Sequence, residues 1–370
     1  TEEKGILLFF RAELDWQRGK KDAAYQGYKQ ASRMVKEKYR RSAILARMAE
    51  YFAGQGSESQ AAIYAERSAA LLPQEPWKLA QVAGIYSSIG MHDRAIAAYD
   101  AALALHPEPR TAANALMGLA ETYKTLKDDG NYLRYAREYD AVVKADESVF
   151  SDEEKGLAAF YEAELQEAAG DPAGAFRSRE AATRLLKEKY RLSETYVEMA
   201  RYQAGQGNPE LAGRYAESAA ELLPDQIWRI QDAIGIFRDT GNISKAEYYT
   251  LQAISLDPAA NGALYADLAS LHLKQGDREN FLSNNARYID YLLAEMDKSG
   301  KKPSEEELLR LHEARKRQKE VSRTWGFASY HYYSRTNEGN YFYGMTNELS
   351  REFRLANGRY GKFYAQYGGT

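Results

Sequence analysis

"WKLAQVAGIYSSIGMHDRAIAAYDAALALHP", residues 77 to 107, carries the reading on which the fold depends. Leu79, Val82, Ala83 and Tyr86 recur at helical spacing and make one apolar stripe. Gly90 then permits a tight turn, and Ala95, Tyr99 and Ala102 line a second helix that Pro107 follows. Alanine at 83, 95 and 102 lets two antiparallel helices approach closely, while Tyr86 and Tyr99 fill the space between them. The stretch is a helical hairpin.

The same hairpin returns. Gly56 to Gly90 and Pro73 to Pro107 are each 34 residues apart, as are Gly207 to Gly241 and Pro224 to Pro258. A longer repeat lies over this one: "RMVKEKYR" at 33 to 40 becomes "RLLKEKYR" at 184 to 191, "AGQG" at 53 to 56 recurs at 204 to 207, and Pro73 and Trp77 recur as Pro224 and Trp228. Every one of these pairs is offset by 151, which indicates a duplicated block.

In length and in residues the unit resembles the tetratricopeptide repeat. The copy at 228 to 258 keeps Gly241, Ala246, Ala253 and Pro258 and places Phe237 where Tyr86 stood. Turns near Gly19, Gly56, Gly90, Gly170, Gly207, Gly241 and Gly276, with a degenerate unit at "AETYKTLKDDGNYLRYAREYDAVV", predict about eight hairpins between residues 5 and 295. Gly19 to Gly56 and Gly170 to Gly207 are each 37 apart, so the first unit of each block carries three extra residues, read as extending its second helix through "KEKYR". The expected fold is mainly α, a tetratricopeptide-like α-solenoid over 1–300 with blocks at about 5–150 and 156–295.

Composition excludes several classes of function. Among 370 residues, 50 Lys and Arg against 53 Asp and Glu leave a formal charge of −3, so no global field draws the chain to nucleic acid. There is no cysteine, hence no disulfide, thiolate zinc site or cysteine nucleophile. No apolar run reaches the roughly 18 residues of a membrane-spanning helix. The chain opens at Thr1 without an apolar signal region and reads as a processed or excised piece. His92, His106, His272, His312 and His331 lack metal-ligand spacing, no phosphate loop occurs, and "GQG" sits at hairpin turns. Neither catalysis nor a cofactor is expected.

Binding remains. The resemblance implies a groove lined by the first helix of each hairpin, here at Ala46, Glu50, Ala80, Gly84, Val197, Arg201, Gln231, Gly235 and Arg238, and these residues lack the lysine and asparagine clamp of chaperone-tail binders. Trp77 and Trp228 follow the proline break in equivalent repeats; they either face the groove as aromatic anchors or staple the incoming helix to the preceding hairpin.

The ending differs in kind. Residues 301–323 read as a polar linker and a capping helix, which Ser304 and Glu307 start as a capping box and whose Leu308, Leu309 and Leu311 pack on the last hairpin. The run Arg315, Lys316, Arg317 and Lys319 reads as its solvated face. From Trp325 on, thirteen of 46 residues are aromatic against 32 of the preceding 324. Around the turns "NEGN" and "LANG", the segments "YFYGMTNELSREF" and "RYGKFYAQYGG" alternate clearly and "WGFASYHYYSRT" poorly, and 324–370 reads as an antiparallel aromatic β segment. Trp325, Tyr341, Tyr343, Phe363 and Tyr367 are its candidate strand-pairing or membrane-facing residues.

Strands of this kind after a helical repeat array resemble bacterial outer-membrane proteins in which a periplasmic tetratricopeptide domain precedes a β-barrel, as in exopolysaccharide-export and phage-adsorption families. That resemblance implies a periplasmic scaffold with protein partners in its groove, and strand partners from the same longer chain or from other subunits. Two alternatives stand beside it: a cytoplasmic adaptor, and a structural subunit joined to neighbours through its aromatic strands.

Overall fold

In a computed structural model the described residues are 1–299, 302–322, 325–335, 341–354 and 360–369. The internal contacts divide the chain into two units, Thr1–Leu223 and Pro224–Thr370.

The first unit is a run of antiparallel hairpins. Its helices are α1 (Glu2–Gln17), α2 (Lys21–Ala31), α3 (Lys38–Gly54), α4 (Glu58–Leu71), α5 (Pro76–Ser88), α6 (His92–Ala104), α7 (Pro109–Thr125) and α8 (Asp129–Ala145). A short 3-10 turn, Glu147–Val149, follows, and then come α9 (Asp152–Ala168), α10 (Pro172–Leu185), α11 (Lys189–Gly205) and α12 (Pro209–Leu222). The second unit opens with α13 (Ile227–Asp239) and α14 (Ile243–Leu256), passes through the single turn α15 (Pro258–Asn261), and continues with α16 (Leu264–Lys274), α17 (Arg278–Ser299) and α18 (Glu305–Ser322). The bounds of α3 to α5 reappear as those of α11 to α13 with the 151-residue offset, so the duplication in sequence is a duplication in structure.

Each hairpin turns the same way. The turn residue is glycine at 19, 56, 90, 170, 207, 241 and 276, always with φ between 69° and 79°. Around Gly90 its own N–H reaches Ser87 O at 3.0 Å and the Met91 N–H reaches Tyr86 O at 2.9 Å, closing the carbonyls that the helix end leaves open. The hairpin of α7 and α8 makes the same pair of bonds through Lys127, at φ 59°. A non-glycine residue there bears a steric cost of roughly 1 kcal/mol.

The core follows the alanines. Ala83, Ala95 and Ala102 are fully buried, as are Ala246 and Ala253 in the copy, with Tyr86, Tyr99 and Phe237 filling the gaps between helices. Tyr99 lies so close to α7 that a Cβ built on Gly118 would stand 2.2 Å from its ring.

The extra residues of each first unit do not lengthen its second helix. α2 ends at Ala31 and α10 at Leu185; residues 32–37 and 186–188 are connectors, and "KYR" begins α3 and α11. Glu37 and Glu188 cap those helices, each accepting the N–H groups two and three residues on. Glu2 and Glu153 reach across from α1 and α9 to accept the N–H groups of Lys36 and Glu37, and of Lys187 and Glu188. With their amides satisfied from the side, the helix-forming lysines and glutamates have no need to stay helical.

α18 starts with the capping box of Ser304 and Glu307, both halves present. Only one of its three leucines packs as expected: Leu311 joins Leu292 and Ala314, whereas Leu308 and Leu309 are 48% and 57% exposed.

The strands β1 (Trp325–Arg335), β2 (Tyr341–Arg354) and β3 (Tyr360–Gly369) pair antiparallel in the order β1-β2-β3. Both turns named from the sequence lie outside the described residues.

Candidate partner-binding site

The first helices of successive hairpins carry a chain of polar contacts. On α1, Glu13 receives the Arg47 guanidinium from α3 through Nε at 3.0 Å and Nη2 at 3.1 Å, while Nη1 of the same arginine reaches Glu50 at 2.8 Å. The Tyr28 hydroxyl donates to Glu13 at 2.6 Å; burial and then that bond push it far above the usual phenol range. From α5, Gln81 donates through Nε2 to Glu50 at 3.5 Å and accepts at Oε1 from Lys78 Nζ at 2.6 Å. Each partly exposed pair is worth well under about 1 kcal/mol, but together they fix the side chains along the face.

Trp77 and Trp228 stand out of the core, each 44% exposed. Their indole N–H groups donate to the residue two positions back, Glu75 at 3.1 Å and Gln226 at 3.2 Å. Under each ring lies the next residue's cation, Lys78 Nζ at 4.8 Å and the Arg229 guanidinium at 4.5 Å. Both cations are buried, Lys78 at 1% and Arg229 at 4% exposure. Burial first, and the Arg47 charge with it, push the Lys78 ammonium down to about 8, although Glu50 acts the other way. Arg229 instead pairs with Asp232 at 2.8 Å. Sequence reasoning missed these cations; their signal was a basic residue after the tryptophan in both blocks.

On α13, Trp228, Gln231, Gly235 and Arg238 fall at helical spacing on one face, and Gln231 and Arg238 are exposed. A Cβ at Gly235 would meet nothing within 4 Å, so that face is open. On α5 the matching row is Trp77, Ala80 and Gly84. Two other positions inferred from the repeat register are not on an open face: Ala46 and Val197 are buried in the core. Glu50 is half-buried against Arg47, and exposed Arg201 pairs with Glu198. Arg47 and Glu50 are thus replaced by Glu198 and Arg201, the same pair with its charges exchanged.

In the sheet, the register sets Trp325, Arg351 and Phe363 in one row, Tyr343 opposite Tyr333, Tyr341 opposite Arg335, and Tyr367 opposite Asn347. The side chains of these five candidates lie outside the described residues. Arg315, Lys316, Arg317 and Lys319 of α18 are all exposed. Among the described residues no group of His, Asp and Glu could hold a metal ion, and no helix is long and apolar enough to cross a membrane.

No family model matches the chain, and no curated protein does. Solved structures do. YrrB, a TPR protein with an unusual peptide-binding site, is 18% identical over 52% of this chain and 92% of its own, with a TM-score of 0.37. PilW, a widely conserved type IV pilus biogenesis factor, is 17% identical over 59% of this chain and 94% of its own, TM-score 0.47. PilF of Pseudomonas aeruginosa is 16% identical over 59% and 92%, TM-score 0.46. By its own 34-residue period, its paired helices and its left-handed glycine turns, the chain is a tetratricopeptide-type helical solenoid.

Proposed function

We propose that the chain is a non-catalytic scaffold that binds protein partners along the first-helix face of its hairpins. The observation that carries this reading is the pair Trp77 and Trp228. A large aromatic ring left 44% in water at equivalent places in two blocks, and held still by a hydrogen bond and a buried cation, is what a binding anchor needs. An immobilised ring loses little further freedom when a partner covers it. Glu50, Gln231, Arg201 and Arg238 supply the surrounding polar contacts in this reading.

We place the scaffold, residues 1–300, in the bacterial periplasm, as part of an outer-membrane export or secretion protein. The capping helix of 301–323 would then lead into 324–370 as the start of a β-barrel. Among the described residues β1 and β3 each pair only with β2, and further strands pairing there would satisfy the edges left open.

The test is made in cells carrying the full-length gene. A photo-crosslinking residue at Gln231 or Arg238 should give a discrete protein adduct, lost when Trp228→Ala is added, while a crosslinker at exposed Arg214 on α12 should give none. An alkaline phosphatase reporter inserted at residue 300 should be active if the scaffold is periplasmic. Adducts that ignore the tryptophan would remove the binding-face reading, and an inactive reporter would remove the periplasmic one.

A further inference from the structure

The two blocks share their helices but not their charges. In the first block a cleft of about 760 Å³ opens between the end of α2, the connector at 32–37, α3 and α4. Its floor is apolar: Val35, Leu45, Met48, Tyr64 and Leu71. Around it stand five exposed cations, Lys29, Arg33, Lys36, Arg41 and Arg67, and no acidic residue lines the cleft. None of the five forms an ion pair among the described residues, and Arg67 leans over the Tyr64 ring at 5.9 Å. Glu2, the acid tied to this rim, is occupied by the backbone N–H groups of Lys36 and Glu37.

The second block tells what the fold requires of this place. Its floor is kept, with Leu186, Tyr196, Met199, Tyr215 and Leu222 at the matching positions. Its rim is not. Glu180, Leu192 and Ser218 replace Lys29, Arg41 and Arg67, and Glu221 replaces Ala70. Four positions pass from three positive charges to two negative ones while α11 and α12 keep the bounds of α3 and α4, and α10 runs three residues past the place where α2 ends. Lys29, Arg41 and Arg67 are therefore not there for folding, and with Arg33 and Lys36 they gather like charge, with no ion pair to any of the five among the described residues, which raises the energy of the free protein.

We infer that this cleft binds a short acidic peptide segment with an apolar anchor, contributed by a partner protein. Carboxylates of the segment answer the rim, and a leucine or phenylalanine between them answers the floor. The volume is that of a site for several residues, and a bare anion would leave the apolar floor unused. The site lies on α2, α3 and α4 and uses neither tryptophan, so it stands or falls apart from the function proposed above.

The experiment uses the purified full chain and a fluorescein-labelled peptide, about a dozen residues long, that alternates glutamate and aspartate with leucine and phenylalanine. Anisotropy should report one site per chain. Arg41→Leu with Arg67→Ser, which installs what the second block already tolerates, should weaken binding by roughly tenfold or more. The converse set Glu180→Lys, Leu192→Arg and Ser218→Arg should raise the stoichiometry to two sites. An amide version of the peptide, glutamine and asparagine throughout, should not bind. Binding unchanged by the arginine substitutions would overturn the proposal. So would a serine version, with leucine and phenylalanine removed, that binds as well as the original, since the apolar floor would then contribute nothing. Equal capture of the chain by phosphatidylglycerol vesicles, lost in the same double variant, would assign the cleft to a membrane surface instead.

Discussion

Replacing Lys78 by methionine should stabilise the folded chain at neutral pH, although it deletes a buried ion and its hydrogen bond. The ammonium is 1% exposed, its acceptor Gln81 is neutral, and it sits in the first turn of α5, where the helix dipole opposes a cation. Burial brings it down from 10.5 to about 8. At 1.36 kcal/mol per unit that difference is a penalty of about 3 kcal/mol on the protonated folded state. The sign follows from proton counting. Below about pH 8 both states carry the proton and the penalty is full; between about 8 and 10.5 the unfolded chain binds the proton and the folded one does not, so stability rises with pH; above that the penalty is gone. Methionine keeps the buried stem and drops the charge, so urea midpoints measured for both proteins should show a gain of about 1–3 kcal/mol at pH 7 that shrinks toward zero by pH 10. Arg229→Met is the internal contrast: its partner is a carboxylate, so that change leaves Asp232 without this cation and should lose stability. A Lys78→Met protein that is less stable at pH 7, or a gain that does not narrow with pH, would refute the reasoning.

Lys127→Gly should raise stability by about 0.5–1 kcal/mol, read from the thermal midpoint, because Lys127 alone occupies the left-handed turn position that glycine holds in the other seven hairpins. Gly118→Ala should cost about 1–3 kcal/mol, since the new methyl would meet the Tyr99 ring at 2.2 Å and the ring is held by its own burial; the same melt checks it. Ala95→Leu and Ala246→Leu, at fully buried equivalent positions, should each destabilise by about 1–3 kcal/mol, and an unchanged midpoint would show that the helix register is misassigned.

The hairpins were legible because few residues can do what their turns require. A left-handed backbone conformation selects glycine, and close helix contact selects alanine, so both leave marks at fixed spacing. Where the chain breaks that rule, at Lys127, the period alone locates the turn. The connectors at 32–37 and 186–188 were not legible, because lysine and glutamate favour helix locally and the deciding groups, Glu2 and Glu153, are about 34 residues away in sequence. Nor was the burial of Lys78 and Arg229, since a cation next to an exposed tryptophan reads as surface. Leu308 and Leu309 failed for a related reason: three leucines close together on α18 span more than one face of the helix, and only Leu311 points inward.

A duplicated block separates what the fold needs from what it merely carries. Where Arg47 and Glu50 become Glu198 and Arg201, the pairing survives and its polarity reverses, so the interaction serves the helix face and no ligand reads the same sign in both blocks. Where Trp77 and Trp228 recur, ring, exposure, hydrogen bond and underlying cation recur together, while the cation itself changes from lysine to arginine. The constraint there is a positive charge beneath a fixed ring. Burying that charge costs stability in the case of Lys78, so whatever keeps it is not stability. If the ring is held for a partner, Lys78→Met should therefore split two properties that usually move together: the chain becomes harder to unfold, and crosslinks formed from the Trp77 face fall because the indole is no longer pinned. Stability and crosslinking that rise together would return the cation to a packing role.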